Sequence, residues 1–137
     1  MTGGEGKTEA DLVMLTGSHY SNPLLSWKTP PALTVIEFLN SSRVGMKYTN
    51  NIFVGDYNGG NLYFFTLNAA RTGFIFDKNE QNLLDRVANG EKELSEIIIG
   101  TGFGGITDIK TGPDGFLYVL TFDQESHGEG KIYQISH

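Results

Sequence analysis

Apolar positions along this chain fall into short runs separated by polar, glycine-bearing turns, and two of these groupings repeat one another. Asn51 to Leu67 reads NIFVGDYNGGNLYFFTL, and Gly115 to Ile135 reads GFLYVLTFDQESHGEGKIYQI. Each predicts an apolar strand, a turn and a second apolar strand with an aromatic pattern, in which Tyr63 and Tyr133 correspond. A further short β run precedes each hairpin, Thr34 to Leu39 in one case and Ile106 to Thr111 in the other. The pattern predicts an all-β, antiparallel, repeated sheet. Ile52, Phe53 and Val54 are consecutive, as are Leu62 to Phe65, so the alternation of a half-solvated sheet is missing and both faces need a cover.

Between these units the punctuation is strong. Asn58-Gly59-Gly60 suits a tight hairpin turn, and Gly112-Pro113-Asp114-Gly115 presets one φ with proline while leaving Gly115 free to turn left-handed. Pro23, Pro30 and Pro31 forbid a helix and lead in extended form to the strand at Val35 to Phe38. Met1 to Asp11 reads as a flexible, Gly-rich tail, and Leu12 to Thr16 as a strand. One short helix is expected in the insertion between the repeats. Asp77 would cap it with Glu80 three residues on, Leu83, Leu84 and Val87 would form its stripe, and Asn89-Gly90 would close it over a sheet edge. Glu96 to Ile99 reads as a strand.

Composition narrows the partners. The chain has 137 residues, 39% hydrophobic and 12% aromatic, which favours a folded core over disorder. Ten basic against sixteen acidic residues give a net charge of −6, so neither a nucleic acid nor an anionic membrane surface is expected as a partner. There is no cysteine, hence no disulfide or thiolate metal site, and no apolar run approaches the roughly 20 residues of a membrane span. The start, MTGGEGKTEADL, lacks the apolar stretch of a secretory signal.

Several local patterns carry candidate chemistry. Gly100-Thr101-Gly102-Phe103-Gly104-Gly105 satisfies the dinucleotide-loop spacing and follows a strand, but Ile106, Thr107 and Ile109 predict that it opens a strand where a phosphate site needs a helix. It reads as a flexible or closely packed glycine-rich connection between the repeated units. Asp123, Glu125 and Glu129 resemble a calcium loop whose twelfth position holds Gln134 in place of a bidentate glutamate, which favours a solvated hairpin tip over weak calcium binding. His19, His127 and His137 lack the spacing of a metal site. Asp56 and Asp108 sit within apolar strands, where each must either bind backbone amides or face a polar pocket.

Three segments resemble the glucose/sorbosone dehydrogenase family: Tyr20 to Trp27 with the Ala32 to Phe38 strand, Asn51 to Leu67 with FVGDYNGGNLY at its core, and Asp108 to Thr121 (DIKTGPDGFLYVLT) closing with GKIYQI. The resemblance implies a six-bladed β-propeller that oxidises aldoses with pyrroloquinoline quinone and calcium, of which this chain matches the C-terminal blades. It implies a partial propeller over residues 12–137, with one blade at about 32–99 and a second at about 104–135. In the family a lysine and two arginines hold the anionic quinone, and the matching positions here are Asn58, Gly105 and Thr107. None supplies a charge-assisted bond to a tricarboxylate, and the family's catalytic histidine belongs to an earlier blade. The expectation is therefore a chain inactive alone and without a cofactor. It would be completed by missing blades or by its own copies as a homotrimer, or would serve as a module for carbohydrate or protein. Relatives are commonly exported, which implies an extracellular or periplasmic location.

Overall fold

A computed structural model describes residues 8–76, 83–123 and 128–136. The expected tail residues 1–7, the helix cap at Asp77 with Glu80, and Glu125, His127 and His137 lie outside them. Among the described residues the structure is all-β, its two main sheets antiparallel, with one short α-helix, as the sequence pattern predicts.

The first sheet is built on the first repeat. Strand β2 (Leu33–Leu39) pairs with β3 (Asn51–Asp56), which pairs with β4 (Leu62–Leu67) through the Asn58-Gly59-Gly60 turn, where Gly60 takes the left-handed φ of 59°. Two short strands share the far edge of β4: β5 (Phe74–Ile75) lies on Thr66 and Leu67, and β7 (Ile98–Gly100) on Leu62 and Tyr63. The second sheet follows from β8 (Gly105–Thr111), β9 (Leu117–Asp123) and β10 (Glu129–Ile135), in the order β10-β9-β8. At the turn between β8 and β9, Gly115 adopts φ of 80°.

Every residue of β3 is buried, and alternation along it divides two cores. Phe53, with Leu62 and Phe64 of β4, faces the second sheet and packs with Ile106, Ile109, Leu117 and Val119. Ile52 and Val54, with Tyr63 and Phe65, face the opposite way, onto Leu25, Leu83, Ala88 and Ile97. The unbroken apolar runs thus have the physical cause inferred from them: the first sheet is the middle layer of three. The third layer consists of β1 (Ser26–Trp27), which pairs in parallel with β6 (Val87–Ala88), and of helix α1 (Glu91–Ile97). Aromatic contacts fasten it, with Trp27 edge-on to Tyr63 at 5.6 Å and to Phe65 at 6.4 Å between centroids.

Four local expectations are corrected. Leu12 to Thr16 forms no strand; its residues lie in exposed irregular backbone without a paired neighbour among the described residues. The helix does not run through Leu83 to Val87. Leu83 is fully buried in a turn, and Val87 pairs with Ser26 as strand. The helix begins where it was expected to stop, because Gly90 serves as its N-cap and the Glu93 carboxylate accepts from the Asn89 N–H. Glu91 and Glu93 in its first turn also suit the positive end of the helix dipole. For the same reason Glu96 and Ile97 are helical, and the strand that follows starts at Ile98. Finally, the insertion covers a sheet face through Leu83, Ala88 and Ile97 as well as pairing with an edge.

Candidate functional site

The β3–β4 turn, the glycine-rich loop and the end of β9 meet at one end of the two sheets. Between them lies a cleft of about 380 Å³ lined by Tyr57, Asn58, Gly59, Gly60, Gly104, Gly105, Phe122 and Asp123. Asp56 builds the turn from beneath. It is 2% exposed, and its carboxylate accepts from the Asn58 N–H at 3.0 Å, the Gly59 N–H at 3.0 Å and the Asn61 side-chain amide at 3.4 Å. The backbone-binding alternative for Asp56 is the one the structure adopts. A buried carboxylate is satisfied this way without a cation.

The glycines have steric causes. A Cβ at Gly105 would stand 2.6 Å from the Tyr57 ring and 2.9 Å from the Phe122 carbonyl oxygen, so only glycine lets that ring lie on β8. Gly60 approaches the Gly104 backbone too closely for any side chain, and the Phe103 N–H donates to the Gly60 carbonyl at 3.3 Å. The loop leads directly into β8, and of the two alternatives read from the sequence, flexible or closely packed, the closely packed connection is the one that forms.

Asn58 and Gly105, matched in sequence to cofactor-binding positions, therefore line the same cleft. Thr107 does not join them. It sits at a bulge in β8, and its hydroxyl donates to the Leu120 carbonyl at 3.1 Å. No lysine or arginine lines the cleft among the described residues. A tricarboxylate quinone needs cationic donors, and this donor set of backbone amides, an asparagine, aromatic rings and a carboxylate does not fit it.

The remaining candidates are dispersed. Asp108 is half-exposed, accepts from the Ile109 N–H at 2.9 Å and lies 3.8 Å from Lys110. Glu129 pairs with Lys131 at 3.5 Å, and His19 is exposed. Among the described residues no group of three or more histidine or acidic side chains could hold a metal ion.

Sequence reasoning missed a polar cluster at the other end of β8. The Tyr118 hydroxyl donates to Asp114 at 2.7 Å, and the Gln134 amide donates to the Tyr118 oxygen at 2.6 Å and to Asp114 at 3.3 Å. The Tyr118 hydrogen bond holds the Asp114 carboxyl below its ordinary range, and the same bond pushes the Tyr118 phenol up. Arg43 lies over the Phe116 ring at 5.0 Å beside this cluster. The available signal was the cross-strand pairing of Tyr118 with Gln134, which the hairpin register fixes.

Comparison with known proteins gives one informative likeness. Over 108 residues the chain is 30% identical to an aldose sugar dehydrogenase of Escherichia coli (strain K12), YliI. That match takes in 78% of this chain and 23% of the dehydrogenase, so the chain spans less than a quarter of the relative's length. No protein-family profile matches the chain, and no solved structure does. The likeness supports a relation to the sugar dehydrogenases.

Proposed function

We propose that this chain is the C-terminal portion of a sugar dehydrogenase-like β-propeller, its two stacked sheets being two blades, and that it neither holds the quinone nor oxidises sugar by itself. The likeness to the aldose sugar dehydrogenase supports the first part, together with the repeated antiparallel sheets. The observation that carries the second is the cleft in which Asn58 and Gly105 stand with no cationic side chain among its described lining residues. Calorimetric titration of the chain with pyrroloquinoline quinone and calcium checks it. No saturable heat is expected, and a saturable isotherm would overturn the cofactor-free reading. An exported location follows from the same relation, and cell fractionation with an antibody to this chain tests it.

A second reading is favoured by the lining of the same cleft. Two aromatic rings, Tyr57 and Phe122, beside neutral amides suit an uncharged, hydroxyl-bearing ligand better than an anion. This makes the chain a non-catalytic module for carbohydrate, and a fold of this type supports such a role as readily as catalysis. Binding on a glycan array that Tyr57→Ala abolishes would support it; an array without binding would remove it.

A further inference from the structure

The two hairpins repeat in their pairing as well as in their sequence. In the first sheet Ile52, Phe53, Val54 and Gly55 stand opposite Phe65, Phe64, Tyr63 and Leu62. In the second, Leu117, Tyr118, Val119 and Leu120 stand opposite Ile135, Gln134, Tyr133 and Ile132 in the same order. The preceding strands match too: Ile36 lies on Val54 as Ile109 lies on Val119. Even their irregularities coincide, with a bulge at Thr34 in β2 and at Thr107 in β8. The Thr34 hydroxyl reaches the Gly55 carbonyl at 3.4 Å, and the Thr107 hydroxyl reaches the equivalent Leu120 carbonyl at 3.1 Å.

This correspondence gives the stack a direction. The face that the first sheet turns to the second carries Phe53, Leu62 and Phe64, whose equivalents Tyr118, Ile132 and Gln134 lie on the outward face of the second sheet. The face that the second sheet turns inward carries Ile109, whose equivalent is Ile36. Contact between the sheets runs chiefly through β8 lying on β2 and β3. One more step of the same kind would set a strand like β2 on β8; the outward face of the second sheet and the β2 part of the first are open to it, while Ile52 and Val54 of β3, the equivalents of Leu117 and Val119, already lie under the third layer. On the outward face Leu120, Phe122 and Ile132 are 41%, 37% and 71% exposed; on β2, Leu33, Ile36 and Phe38 are 43%, 54% and 59% exposed. The third layer covers β3 and β4 and leaves these β2 side chains uncovered.

We infer that a second copy of this chain docks here head to tail, the β2 face of one copy on the outward β8–β10 face of the other. Thr34 already makes the bridge such a step needs, its hydroxyl donating to the Ile106 carbonyl of the next sheet at 2.6 Å. Thr107 is placed to donate in the same way to the Leu33 carbonyl of the second copy. The two faces differ, so the contact is heterologous and each copy keeps one free face until a ring closes. Three copies would bring six such sheets together. The inference rests on the internal repeat and is independent of whether the cleft binds any cofactor.

Sedimentation of the full chain tests it, with Ile132→Asp spoiling one face and Ile36→Asp the other. The wild type is expected above the 15.0 kDa of one chain. Each variant alone should sediment as a single chain with an unchanged circular dichroism spectrum. Mixing the two should restore a two-chain species, because the mixture retains one intact face of each kind. Should either variant lose its fold, Ile132→Ser and Phe38→Ser replace the pair. A wild type that stays a single chain at its highest soluble concentration overturns the inference, including the case in which it captures a different protein. Variants that associate as the wild type does, or a mixture that remains monomeric, also overturn it.

Discussion

Gly105 is where a single hydrogen in place of a methyl group determines what the candidate cleft can be. With the Tyr57 ring and the Phe122 carbonyl both inside normal contact distance of any added Cβ, Gly105→Ala should destabilise the chain by about 1–3 kcal/mol in urea unfolding. The loss would be overpacking, since the backbone there needs no left-handed conformation. Tyr118 offers a different kind of test. Its phenol is raised above the ordinary 10.0 by Asp114, so its contribution to stability is present below that value and is lost as pH rises through the raised one. Asp114, held below its ordinary 3.8, contributes above that value and loses its contribution as pH falls through the lowered one. Tyr118→Phe should therefore move the Asp114 titration up toward 3.8, as read by NMR of the side-chain carboxyl. Asp56 was legible from its place in an apolar strand, because a buried carboxylate must find donors. The Asp114 cluster was not, because it depends on which residues face each other across β9 and β10.

At the level of elements, strands declared themselves through uninterrupted apolar runs and turns through glycine and proline. Among the described residues the α-helix begins where the expected one was to end, for an instructive reason. Asn89-Gly90 serves a helix end or a helix start equally well by composition, and Leu83 belongs to a buried turn whose partners lie far away in sequence. The parallel pairing of Ser26–Trp27 with Val87–Ala88 leaves no local trace either, since two residues carry no period. Between the sheets a polar tie was equally hidden: the Glu37 carboxylate accepts from the Thr111 N–H at 2.9 Å and its hydroxyl at 2.8 Å. Glu37→Ala should cost about 1–3 kcal/mol by stranding that part-buried amide, with the urea midpoint falling and the slope unchanged.

At the scale of the whole molecule, three layers are closed unequally: the insertion and the segment around Trp27 cap one side of the middle sheet, while the outer sheet meets solvent with apolar side chains. The repeated hairpins made the sheets legible, and the likeness to YliI supports a relation to the sugar dehydrogenases. Neither gave the cap. That cap has its own consequence, because the chain leaves β4 through β5 and returns to the same edge of β4 through β7. A protease that cuts once between Ile75 and Val87 would divide the polypeptide without releasing either half. The nicked protein should elute from a sizing column as the intact one does and fall into two fragments only in denaturant, which a gel of the same fraction would show.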